Sequence, residues 1–204
     1  MKRSCLVLVA LVLSGCSGGL LDPLDPDAFR QYSGTVTIET GGKKSVLDYY
    51  RDGKKLRIVP RVAAGSPYDQ RVAIIVDEAA KTATAVSMGR KQYYVHPLRA
   101  QDAPGANWPL GQFVQGSHNL TRQDLGTETI DGHPCTVQRV VMQAADGSQQ
   151  AVKVWSARDL RGFAIKVEAT AGGTPLVVTF ADVKLGPTGD PSLFVVPADF
   201  TKAG

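Results

Sequence analysis

Along most of the chain, apolar side chains recur at every second position. Val36/Ile38, Leu47/Tyr49, Leu56/Ile58, Ile74/Val76 and Tyr93/Val95 do so in the first half, and Val152/Val154, Phe163/Ile165/Val167 and Leu176/Val178/Phe180 in the second. A period of two marks strands that bury one face. Between these runs stand Gly41-Gly42, Asp52-Gly53, Asp77 to Lys81, Gly89-Arg90, Ala145-Asp146-Gly147 and Ala171-Gly172-Gly173. Such connections are too short for a crossover helix and predict antiparallel neighbours. The pattern therefore predicts a mainly β chain, an antiparallel meander of about ten strands that starts at Ser33 and fills 33–204 as a single domain.

Two stretches interrupt the meander, Pro60 to Gln70 and the longer Pro97 to His118, which carries Trp108, Leu110, Phe113 and Val114. A long loop with apolar content reads either as a lid over a hydrophobic cavity or as a plug for an open end of the sheet. Both readings place Trp108 and Phe113 against the sheet. His96 and His118 flank this loop and read as surface residues.

The front of the chain follows a different pattern. Lys2 and Arg3 precede an apolar run from Cys5 to Leu13, and Leu13-Ser14-Gly15-Cys16 closes it with small residues. This is a signal-peptide pattern, with an apolar run too short to span a bilayer. The closing four residues resemble the bacterial lipobox, which predicts removal of residues 1–15 and acylation of Cys16. Ser17, where an Asp would favour inner-membrane retention, resembles the outer-membrane class and predicts a lipid-anchored protein facing the periplasm. Residues 16–32 then form the lipidated cysteine, a tether rich in Gly, Pro and Asp, and a short helix that starts at Asp25-Pro26 and runs to about Tyr32.

Charge changes meaning once the leader is set aside. The full chain carries 23 Lys and Arg against 19 Asp and Glu, a net +4. Loss of Lys2 and Arg3 leaves 21 against 19, a balance of +2. That balance, without a basic stripe interleaved with aromatics, argues against nucleic acid as a partner. Lys54, Lys55, Arg57 and Arg61 form one local basic cluster, read either as contact with anionic headgroups or as a solvated outer face. Cys5 leaves with the leader and Cys16 is acylated, so Cys135 has no intramolecular partner for a disulfide.

Catalytic patterns are missing from the sequence. There is no Gly-x-Ser-x-Gly elbow, His-Glu-x-x-His, phosphate loop, dinucleotide fingerprint or Cys-x-x-Cys. His133 and Cys135 bracket Pro134, but no third ligand or orienting carboxylate is placed by the sequence, and the residues read as a turn entering a strand whose Cys packs as a small hydrophobe. The expectation is a protein without catalytic residues, metal or cofactor.

Several segments carry a resemblance. Gly126-Thr-Glu-Thr-Ile-Asp-Gly-His-Pro-Cys-Thr136, Val154-Trp-Ser-Ala-Arg-Asp-Leu-Arg-Gly-Phe163 with Lys166-Val-Glu168, Asp182-Val-Lys-Leu-Gly186 and Pro191-Ser-Leu-Phe-Val-Val-Pro197 together resemble the LolA/LolB-like periplasmic lipoprotein-carrier superfamily, over roughly Ser33 to Lys202. The resemblance implies a strongly curved antiparallel sheet, an unclosed half-barrel whose concave face is covered by a loop or helical lid and can hold acyl chains. It implies a membrane-anchored protein that binds a lipid or acylated molecule, with Ile38, Tyr49, Ile58, Ile74 and Phe180 as cavity wall and Trp108 and Phe113 as lid. The other reading is an envelope interaction or sensor module whose concave face is filled by its own side chains. The sequence names no protein partner.

Overall fold

The structure, a computed structural model, describes residues 29–61, 72–99, 118–143, 149–171 and 173–203. They form one sheet of twelve strands: β1 (Gln31–Thr40), β2 (Lys43–Asp52), β3 (Lys55–Pro60), β4 (Val72–Asp77), β5 (Thr82–Ser87), β6 (Gln92–Pro97), β7 (His118–Ile130), β8 (His133–Gln143), β9 (Gln149–Ala157), β10 (Phe163–Ala171), β11 (Thr174–Leu185) and β12 (Thr201–Lys202). A 3₁₀ turn, Pro191–Phe194, precedes β12. The sheet is curved and unclosed, and the described residues hold almost no helix.

Strand order is β12-β6-β5-β4-β3-β2-β1-β11-β10-β9-β8-β7. The chain meanders outward from β1 to β6, crosses to the opposite edge, and meanders back from β7 until β11 pairs with β1. The first strand is thus a central one, held on both sides. Every pairing is antiparallel except the short β12 on the edge of β6. Tight turns follow the glycines: Gly41 and Gly42 (φ 53° and 74°) and Asp131 and Gly132 (φ 49° and 82°) have the paired positive φ of two-residue hairpin loops, whose twist matches that of the strands they join.

Residues 29–32 depart from the expected helix. Phe29 and Arg30 lie outside any regular element and Gln31 and Tyr32 already belong to β1. The Gly53 amide donates to the Arg30 carbonyl at 2.7 Å, extending the ladder past the strand. Burial explains the outcome. Tyr32 is 1% exposed and stacks on Tyr49 at 5.5 Å between ring centroids, contacts that a helical turn forgoes. The remainder of the expected helix, the leader and Cys16 lie outside the described residues.

The two sheet faces are covered differently. One face gathers Tyr32, Val36, Tyr49, Leu56, Val76, Val152, Val154, Phe163, Val167, Val178 and Phe180 into one contiguous cluster. Side chains from so many strands converge only on the inside of a curve, so this is the concave face. On the other face a small cluster of Ala73, Ile75 and Val86 is covered by Val196 and Phe200 from the C-terminal segment. That segment is fastened by Arg57 Nη1 to the Leu193 carbonyl at 2.7 Å and by Lys91 to Asp199 at 2.9 Å.

Candidate functional site

The concave face is unevenly filled. Across β10, β11, β1 and β2 it is packed with rings: Phe163 meets Tyr32 at 5.1 Å and Phe180 at 5.2 Å, both edge-on, and Phe29 closes on Phe163 at 5.0 Å. Across β3 to β6 it is hollow. Cross-strand pairing sets Ile58 opposite Ile74, Ile74 opposite Ala85, Val76 opposite Ala83, and Ala83 opposite His96. Residues directly opposite share a face, so β5 offers the interior only the methyl groups of Ala83 and Ala85 where neighbouring strands offer branched chains. The result is a groove of about 500 Å³. Ile58, Ile74, Val76, Ala83 and Ala85 line it, with Thr84, His96, Pro97 and Arg99 at its border.

A volume of that size lies within the roughly 300–1,000 Å³ of a small-molecule site. Apolar lining facing water is costly at about 25 cal/mol per Å², which an apolar ligand recovers on covering it. A second hollow, of about 420 Å³, has another character. Arg139, Lys153 and Glu168 stand on it in one row across β8, β9 and β10, among apolar neighbours such as Leu125 and Val177, so a band of charge crosses an otherwise apolar lining.

The residues expected as cavity wall separate into two sets. Ile58 and Ile74 line the groove. Tyr49 and Phe180 are 1% and 3% exposed and contact each other edge-on at 6.5 Å within the packed cluster, and Ile38 is half-buried against that cluster. Trp108 and Phe113 lie outside the described residues, as do positions 62–71. Ala83, Ala85, His96 and Arg99 complete the groove and were not singled out as wall residues by periodicity. The signal available for them was the run Thr82-Ala-Thr-Ala-Val86, a strand alternation whose inward members are small.

Candidate chemistry elsewhere resolves into structural roles. His133 Nδ1 lies 2.8 Å from Asp159 Oδ2 and ties two turns together, and this contact is the main influence holding the Asp159 carboxyl below its ordinary range. Cys135 is fully buried and its thiol donates to the His133 carbonyl at 3.3 Å. Burial pushes the thiol upward, away from the thiolate a nucleophile requires. Trp155 donates its indole N–H to Glu128 at 2.8 Å, with Lys153 and Lys166 at 4.3 and 4.4 Å from its ring. The basic cluster also divides: Arg61 pairs with Asp48 at 2.6 Å and Arg57 is fastened to the C-terminal segment, while Lys54 and Lys55 remain exposed.

No protein-family model matches the chain, and no curated protein matches it in sequence. Among solved structures it is similar to MucB, with a TM-score of 0.55 and 16% identity over 87% of this chain and 61% of that one. It is likewise similar to a chain of the Pseudomonas aeruginosa MucA/MucB complex, with a TM-score of 0.51 and 18% identity over 87% and 59%. Lipoprotein LppX of Mycobacterium tuberculosis follows at a TM-score of 0.47 and 16% identity, over 82% and 94%. The chain spans about three-fifths of the MucB chain. These likenesses concern the fold alone, a curved and unclosed antiparallel sheet.

Proposed function

We propose that this protein is a lipid-anchored envelope protein that binds a hydrophobic ligand, a lipid or an acylated molecule, in the concave groove between β3 and β6. The observation that carries the reading is the groove itself: an apolar concavity of about 500 Å³ on the inner face of an unclosed sheet, produced by alanines at Ala83 and Ala85. Fold does not fix function, so the argument rests on the site. Ile58 and Ile74 form the wall, and the packed rings of Phe163, Phe180, Tyr32 and Tyr49 keep the sheet curved around it. Cys16 bears the acyl anchor after removal of residues 1–15, and residues 16–28 tether the domain to the periplasmic side of an outer membrane. Two or more acyl chains give a stable anchor. Metabolic incorporation of a clickable palmitate, lost in Cys16→Ser, tests that part.

The ligand reading is tested by titrating the Cys16→Ser protein with an environment-sensitive fluorescent acyl probe. Saturation at one probe per chain, with displacement by envelope lipids, is expected. Fluorescence that rises without saturating, or that lipids leave unchanged, contradicts it. A second reading, a protein-interaction or sensor module, is favoured by one observation: the concave face is filled by aromatic side chains over its central strands.

A further inference from the structure

The groove has a polarity along its length. Its floor, on β3 to β5, is apolar. Its border at the end of β6 carries His96 and Arg99, and among the described residues lining it there is no carboxylate. His96 stands directly across from Ala83 on the inner face. The ladder continues one step past β6, where the Leu98 amide donates to the Lys81 carbonyl at 2.8 Å, so the backbone next to Arg99 is held in place. Both side chains belong to exposed residues and sit beside a low-dielectric wall, where an ionic contact is stronger than in open water.

From this arrangement, and resting on the groove reading above, we propose that the site selects amphiphiles with an anionic headgroup: the acyl chain lies along Ile58, Ile74, Ala83 and Ala85 while its carboxylate or phosphate meets His96 and Arg99. A guanidinium has five N–H donors in a fixed fork that matches a carboxylate or phosphate, and it holds such an anion alongside any other partner. Imidazole adds one N–H. A neutral ester forfeits the charge-assisted contact.

The test is displacement of the acyl probe from the Cys16→Ser protein by three competitors with the same sixteen-carbon chain: palmitate, hexadecyl phosphate and methyl palmitate. Both anions are expected to compete at least about tenfold better than the ester, the loss typical of one charge-assisted hydrogen bond. In Arg99→Gln with His96→Gln the preference should shrink to within about twofold while the ester binds as before. An unchanged urea midpoint confirms that exposed substitutions leave the fold intact. Equal competition by acid and ester in the unsubstituted protein overturns the headgroup inference and leaves the groove reading standing, as does a preference that survives both substitutions. Failure of all three competitors to bind overturns both.

Discussion

The two halves of the sheet solve the same problem in opposite ways. Each presents a curved inner face of alternating apolar residues to the interior. The half built on β10 and β11 fills it: Phe163, Ile165, Val167, Val178 and Phe180 are each 3% exposed or less, and the rings interlock edge-on. The half built on β4 and β5 leaves it open, because Ala83 and Ala85 stand where the other half has phenylalanine or valine. The contrast teaches that a half-barrel's cavity is set by side-chain volume on a single strand more than by strand number or pairing. A rigid packed half also gives the open half a fixed shape, which lowers the ordering cost of binding.

The sharpest way to break the comparison is to hollow the packed half. Phe163→Ala removes a ring that touches three others and is expected to cost about 3–5 kcal/mol in urea unfolding. Ile58→Ala, in the open half, should cost much less, since its side chain already borders a void. Equal costs erase the distinction between the halves.

High pH probes the packed half by charge. Burial is the first cause that raises both tyrosines, Tyr32 well above the ordinary phenol value and Tyr49 to about 12. Because the folded values lie above the unfolded value near 10, the contribution is fully present below about pH 10 and is lost as pH rises toward 12. Thermal unfolding scanned from pH 8 to 12 should show a steep decline that Tyr32→Phe with Tyr49→Phe flattens. A decline of the same slope in the double variant contradicts that assignment.

Filling the open half should change binding and little else. Ala85→Leu adds three carbons to the groove and is expected to hold stability within about 1 kcal/mol, since the added volume enters an existing void rather than a packed core. Acyl-probe affinity should fall at least about tenfold. A variant that unfolds, or binds as before, shows that the groove is not where it is drawn.

The smallest effect concerns the acid limb. His133 holds the Asp159 carboxyl low, so its contribution is present above about pH 4 and disappears as pH falls through the depressed folded value. Asp159 is exposed, so Asp159→Asn should shift the melting temperature by no more than a few degrees, and only above pH 4. A shift that persists at pH 2 removes the ion pair as its cause.

Much of this fold was legible in the alternation of the chain. The pairs Leu56/Ile58, Ile74/Val76 and Leu176/Val178/Phe180 marked strands correctly because period-two burial is a local property. The start of β1 was not legible: the Asp-Pro signal at Asp25-Pro26 suggested a helix through Tyr32, and what overrides it is the long-range stacking of Tyr32 on Tyr49 and its contact with Phe163. The site was half legible for the same reason. Periodicity identifies inward residues but weighs Ile74 and Tyr49 alike, and only the assembled sheet shows that Ile74 lies opposite Ala85 while Tyr49 stacks within an aromatic cluster. Small residues such as Ala83 and Ala85 carry a cavity by what they leave unfilled, and hydrophobic pattern alone does not register it.

The central claim is that the open half of the sheet holds a hydrophobic ligand in the space left by β5. Native mass spectrometry of the Cys16→Ser protein beside Cys16→Ser with Ala85→Leu, both purified from cells under identical conditions, tests it most directly. The account predicts one lipid-sized mass on the first protein and a strongly reduced or missing adduct on the second. An unadorned mass for both, even after incubation with envelope lipids, or the same adduct undiminished in the filled variant, contradicts it.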